Sequence, residues 1–346
     1  MSATAMSDYF SVLFVGGTGA ISGSCVAEAV SQGLAVSVLN RGRSSRLRPL
    51  PAGVEVLTGD ITDPASVRAA LRDRHFDAVV NFLCFDAEGA ARNVELFTGV
   101  NSHYVHISSA SVYHRPLPKG PVSESTYAHN PEHAYMRDKV EAEKVFLDAF
   151  ARQGFPVTIV RPAHTYDEAI APLAGGWAVV DRIERGEPVV VQGDGTSLWT
   201  FTHAADLAVG LVGLLGRRSA FGEAFHITSD DVLSWNQIYQ AIGHALGVEP
   251  TILHLPTDLI MLAEPDWFWS GLLDGDLSHS EVYDTTKIRS YVPGFRPSRV
   301  FEREVYQILA WRREHPDLAV ADPAEVAVQA RLVAAYERAR AAVVAG

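Results

Sequence analysis

Short, almost wholly apolar runs alternate along this chain with longer stretches in which apolar residues recur every three or four positions. The runs at 11–15, 35–39, 54–57, 78–83, 104–108 and 157–160 are rich in Val, Ile, Leu and Phe. Apolar on both faces and separated by helix-period segments, they predict strands of a parallel sheet covered on each side by crossover helices. The expected class is therefore α/β, a doubly wound parallel sheet. Past Arg161 and Pro162 the alternation loosens, and from Trp235 bulky residues accumulate without it, which predicts a smaller C-terminal substrate-binding lobe. Two returns to the sheet are expected, at 199–203 leading into a helix near Asp206, and at 224–227. Asp322 as N-cap and Pro323 at the first helical position predict a last helix packed on the body.

The first run passes straight into Gly16-Gly17-Thr18-Gly19-Ala20-Ile21-Ser22, with a helical pattern over 24–32 behind it. A glycine turn at this place lets bare backbone approach a pyrophosphate at the helix N-terminus, the Rossmann-type arrangement for a dinucleotide. Gly16 and Gly19 take the first two glycine positions and Ser22 the third, with Thr18, Ala20 and Ile21 completing the cradle. About twenty residues on, where an acid would hold the ribose of NAD, the chain reads Asn40-Arg41-Gly42-Arg43. Asn40 does not repel a 2′-phosphate and Arg41 or Arg43 can pair with one, so NAD or NADP is expected with a lean to NADP. The alternative for Arg41 is stacking on adenine or pointing to solvent. Asp60 and Ile61, after the third run, are placed for the adenine edge. On this reading 9–165 with about 198–230 form the dinucleotide-binding domain, and about 166–197 with 231–346 the substrate lobe.

Tyr135 and Lys139 lie four apart in a segment opened by Asn130-Pro131, so they share a helical face. A nearby ammonium stabilises phenolate and would make the tyrosine useful as a proton carrier, while Ser109, at the end of a strand, can hold a substrate oxygen. A Tyr-x-x-x-Lys pair alone is common by chance; its place after the serine-rich strand end and the glycine loop gives it meaning.

Taken in that order, these motifs resemble an extended, atypical short-chain dehydrogenase/reductase of the NAD-dependent epimerase/dehydratase family, over roughly 12–227. The resemblance implies Ser109, Tyr135 and Lys139 as the catalytic set. It implies Gly16, Gly19, Asp60, Phe82, Leu83, Cys84, Ser108 and the Pro162 to His164 turn, with Tyr135 and Lys139, around the dinucleotide. Phe85, Ser111, Trp199 and His203 are candidates for the substrate side, although His164 and His203 also suit structural hydrogen bonding, and Trp199, Trp267 and Trp269 core packing. Three departures stand out. About two dozen residues separate the Phe82 strand end from the strand at Tyr104, so a helix that often joins the interface of a homodimer is abbreviated. Ser197-Leu198-Trp199 stands where nucleotide-sugar enzymes usually carry an arginine for the diphosphate, pointing to a less charged, sugar-like small molecule. Ala110 and Ser111 stand where the dehydratases carry an acidic pair, so an elimination would need another acid, for which Asp86 and Glu88 are candidates, although solvated loop carboxylates are the readier reading of both.

The 346 residues carry a formal charge of −12 with 47% hydrophobic and 20% charged positions, which suits a globular enzyme and disfavours nucleic acid as a partner. No apolar run suits a membrane span, residues 1–8 are too short and polar for a signal peptide, and Cys25 and Cys84 match no metal or redox spacing. A cytoplasmic enzyme without a metal is expected. Its leading activity is redox-neutral epimerisation or dehydration of a nucleoside, glycoside or nucleotide sugar through a transient ketone. The alternatives are an NADP-dependent reductase or dehydrogenase of a small carbonyl or polyol and, from another class, a non-catalytic dinucleotide-sensing or RNA-associated protein on the same fold.

Overall fold

The computed structural model describes residues 10–42, 47–117 and 120–345, so Arg43 and residues 1–8 lie outside the described residues. Its strands are β1 (Ser11–Val15), β2 (Ala35–Asn40), β3 (Glu55–Thr58), β4 (Ala78–Asn81), β5 (Tyr104–Ile107) and β6 (Val157–Arg161), followed by β7 (His164–Tyr166) and β8 (Val189–Gln192). The chain continues through β9 (Leu198–His203), β10 (Ala224–His226), β11 (Val232–Ser234) and β12 (Ile252–Leu255). Seven of them form one sheet in the order β10-β6-β5-β4-β1-β2-β3, every pair parallel.

The pleat explains why the inner strands are largely apolar. Val12 and Phe14 of β1 face a core completed by Cys25, Val26 and Ala29 of the Ala20–Ser31 helix and by Leu207 and Leu211 of the Ala204–Leu214 helix. Leu13 and Val15 face the opposite core, with Val94 and Phe97 of the Ala87–Phe97 helix and Ala142 and Phe146 of the Ala134–Gln153 helix. Each such side chain contributes about 1.5–3 kcal/mol by leaving water, and the demand falls on both faces at once.

The remaining strands build the smaller lobe. β8 pairs with β12, and β9 lies between β7 and β11. The return expected at 199–203 therefore joins this small sheet and not the main one, whereas the strand at Ala224–His226 does close the main sheet beside β6. A third core joins Trp199, Phe201, Trp235, Ile238 and Phe301 with Val328 and Leu332 of the last helix, Pro323–Ala345. Ile288, Val292 and Phe295, although late in the chain, pack beneath the main sheet. β4 stops at Asn81, two residues short of the expectation, because the Asn81 side chain accepts the Leu83 N–H at 2.7 Å and donates to the Tyr104 hydroxyl at 3.0 Å. Among the described residues no helix is long and apolar enough to cross a membrane.

Candidate active site

β1 and β4 are neighbours whose crossovers leave in opposite directions, and a cleft opens at their C-terminal ends, as the topology of such sheets requires. It measures about 680 Å³ and is lined by Gly16, Thr18, Gly19, Ala20, Ile21, Asn40, Arg41, Asp60, Ile61, Phe82, Leu83 and Phe85. The glycines are there for space. Gly16 has φ +78°, and a Cβ on Gly17 would stand 2.7 and 2.8 Å from the two γ carbons of Val38. The helix begins at Ala20, earlier than the sequence pattern indicated, and its first turn carries no acidic residue. Ser22, in the third glycine position, is buried and its Oγ accepts the Gly19 N–H at 2.8 Å. Asn40 turns its Oδ1 onto the Gly42 N–H at 2.8 Å, and Arg41 is exposed at the rim. Asp60 accepts both the backbone N–H and the hydroxyl of Thr62, which hold its carboxyl below the usual range. Bare backbone and a helix N-terminus free of carboxylates suit a dinucleotide's phosphates.

The catalytic candidates converge beside this cleft. The helix holding Tyr135 and Lys139 starts at Ala134 with His133 as its cap, later than Asn130-Pro131 suggested. Asn130 instead donates to the carbonyls of Ser111 and Tyr113, both at 2.9 Å, tying the Ser109 loop to the helix start. Deeper in, Arg161 clamps Glu143 of the same helix at 2.9 and 2.5 Å. Lys139 is buried and donates to the carbonyls of Cys84 at 2.8 Å and Ile107 at 2.9 Å, with its Nζ 4.7 Å from the centre of the Phe85 ring. Cys84 thus presents its carbonyl, while burial pushes its thiol up to about 11.

Burial also raises the pKa of Tyr135, a hydrogen bond shared with Ser109 eases it, and the charge of Asp276 raises it again. The Lys139 Nζ lies 5.9 Å from the centre of the Tyr135 ring. The ammonium is engaged by two carbonyls, desolvation draws it down to about 8, and the tyrosine is held in its protonated form.

A second cavity of about 350 Å³ lies against Ser109, Ser111 and Tyr135 and is closed from the small lobe by Trp199, Phe268 and Trp269. Its floor includes a residue the sequence reading passed over. Asp276, on the π-helical turn Leu273–Leu277, accepts from Ser111 Oγ at 2.6 Å and from Arg115 at 3.1 Å. Arg115 also pairs with Glu281, another cavity residue, and donates to the Tyr283 hydroxyl at 3.1 Å. The signal was a pair of glycines. A Cβ on Gly271 would stand 2.6 Å from the His133 ring and one on Gly275 would stand 3.0 Å from Glu132 Cβ, so both let the turn close on the start of the Tyr135 helix.

Several candidates lie elsewhere. His164 and Pro162 line the second cavity and not the dinucleotide cleft; His164 stacks at 5.0 Å on Phe201, and burial takes it down to about 4, so it is neutral. Ser108 is buried and lines neither space. His203 lines neither, because its Nδ1 accepts the Ala205 N–H at 3.1 Å and its Nε2 faces Glu168 at 3.3 Å. With Glu304, 3.9 Å from the same Nε2, these side chains form a metal-like trio. Asp86 caps the helix after β4 and Glu88 sits on the surface with Arg92, and the carboxyl groups lining the second cavity are those of Asp276 and Glu281. Ser111 and Trp199 line the cavity, and Phe85 borders the cleft.

Residues 12–227 match the model of the NAD dependent epimerase/dehydratase family. The 2'-dehydrokanamycin reductase of Streptomyces kanamyceticus is 28% identical over 313 residues, 87% of this chain and 85% of that protein. The chloroplast stem-loop binding protein of 41 kDa b from Arabidopsis thaliana is 25% identical over 255 residues, 70% of this chain and 65% of that protein. The structure of dTDP-glucose 4,6-dehydratase from Bacillus anthracis str. Ames in complex with NAD superposes with a TM-score of 0.70 at 17% identity, over 89% of this chain and 98% of that one.

Proposed function

The chain belongs to the NAD-dependent epimerase/dehydratase family, and from that premise we propose that it exchanges a hydride between a nicotinamide dinucleotide and a carbinol or ketone carbon of a sugar-like molecule without a diphosphate. The observation that carries this reading is the place of Tyr135 and Ser109 in the wall of a small cavity beside the dinucleotide cleft. Lys139 ties the two spaces together. It bonds the carbonyl of Cys84, between the cleft residues Leu83 and Phe85, and that of Ile107, two residues before Ser109.

The dinucleotide supplies or accepts the hydride when bound. Tyr135, kept protonated by burial, gives its proton to the carbonyl oxygen in the reducing direction and recovers one in the other. Ser109 holds that oxygen. The aromatic walls exclude water, which strengthens both interactions.

Net reduction with NADP is the favoured outcome. Asn40 and Arg41 at the cleft support the phosphorylated cofactor, and the reductase from S. kanamyceticus supports the reaction. A second, redox-neutral reading draws on family membership and on Asp276, a carboxyl within reach of the same cavity. Denaturing the purified protein and weighing any released nucleotide tests the pair. An empty protein that oxidises NADPH with keto sugars supports reduction, whereas stoichiometric NAD in the released fraction overturns it in favour of the redox-neutral cycle.

A further inference from the structure

We infer that the cavity beside Tyr135 selects a substrate carrying a protonated amine, an amino sugar or aminocyclitol, with Asp276 as its anchor and Glu281 as the second carboxylate of the same wall. The inference rests on the reading of this cavity as the substrate site.

The charges around the cavity lead there. Asp276 and Glu281 are its only charged lining residues, and no lysine or arginine lines it among the described residues. His164, the one titratable base in the wall, is neutral. Arg115 stands behind the wall and pairs with both carboxyl groups, so two acids share one guanidinium. Both acids are nearly out of water, at 5% and 2% exposure, where an uncompensated carboxylate is costly. Burial raises the pKa of Asp276, Arg115, Ser111 and His279 pull it back, and a further positive charge beside it would favour its ionised form. An ammonium on the ligand would supply that charge. A nucleoside diphosphate would bring two or more further negative charges into a wall that has no cation to meet them.

Trp199 points to the rest of the ligand. It is 2% exposed in the cavity wall, and its indole N–H has no partner among the described residues. A hydroxyl oxygen of a polyol is a fitting acceptor, and Phe268 and Trp269 present aromatic faces of the kind that pack on sugar rings and attract cations. Amine, hydroxyl and ring are therefore each met by a separate group.

The test compares methyl glucosaminide, methyl glucoside and dTDP-glucose by equilibrium binding in the presence of NADPH, with tryptophan fluorescence as the readout. The amine is expected to bind roughly 10- to 100-fold tighter than its hydroxyl counterpart, the range for a hydrogen bond between charged groups, and dTDP-glucose weakest. Asp276→Asn is expected to abolish the amine preference while leaving NADPH affinity at the wild-type value, which also reports that the variant is folded. If that variant does not fold, the ranking on the wild-type protein decides. Equal binding of the two glycosides, or tightest binding of dTDP-glucose, overturns the inference. So does an Asp276→Asn variant that loses turnover but keeps the preference. Because the readout needs no chemistry, amine selectivity without hydride transfer would refute the proposed reaction alone, and turnover of neutral keto sugars without amine selectivity would refute the anchor alone.

Discussion

Replacing Lys139 by methionine separates what the ammonium does for the fold from what it does for the reaction. Burial brings this amine from the usual 10.5 to about 8, which at about 1.4 kcal/mol per tenfold change in proton affinity is about 3 kcal/mol against the charged form near neutrality. Against that stand two bonds to buried carbonyls, and leaving each acceptor without a donor costs about 1–3 kcal/mol. The two effects are of similar size, so the variant should fall within about 3 kcal/mol of wild type at pH 7. The pH dependence is more discriminating. Because the folded pKa lies below the unfolded one, the unfolded chain holds more protons between about pH 8 and 10.5, and wild-type stability gains from this residue as pH rises through that window. Lys139→Met has no such group. The wild-type advantage should therefore widen by up to about 3 kcal/mol across the window, read from urea midpoints at fixed m. Turnover should move the other way, falling in the wild type as the ammonium is lost above about pH 8 and staying low in the variant throughout. Parallel stability curves, or a variant with wild-type turnover, would refute the reasoning.

Other substitutions address neighbouring parts of the site. Tyr135→Phe should lower kcat roughly 10²- to 10⁴-fold, the range for losing a general acid, with NADPH affinity unchanged by equilibrium titration. If that variant keeps full activity and the protein binds RNA tightly in low salt, the non-catalytic alternative gains instead. Arg41→Ala should weaken NADPH binding roughly tenfold or more while sparing NADH, since only the former has a phosphate for the guanidinium; equal losses would show that Arg41 merely stacks or faces solvent. Gly17→Ala forces a methyl against Val38 at 2.7 and 2.8 Å, which should destabilise the fold by about 1–3 kcal/mol and raise KM for the dinucleotide more than for the carbonyl substrate.

The alternation of apolar strands was enough to place the sheet because its inner strands are buried on both faces, and that burial writes itself into every residue of 12–15 or 157–161. The glycine loop, Ser109, Tyr135 and Lys139 were legible because their spacing is local, set by one turn or one helix face. What was missed depends on contacts between distant parts of the chain. The strand at Leu198–His203 is buried at five of its six positions like those of the main sheet, and nothing in such a hexamer names its partner. His203 looked like a cleft residue, but as the cap of the following helix it is turned into the protein. Asp276 lies 165 positions from Ser111, the residue it bonds. Only the glycines at 271 and 275, necessary for the turn to approach the catalytic helix, hinted that an acid there reaches the site.

The most direct test of the central claim is an experimental structure of the protein soaked with NADPH. The account predicts phosphates on the Gly16 to Ile21 turn and the nicotinamide ring facing the Tyr135 hydroxyl, with Lys139 beneath both. A dinucleotide bound elsewhere, or a ring whose reactive carbon is walled off from Tyr135 and the small cavity, would contradict it.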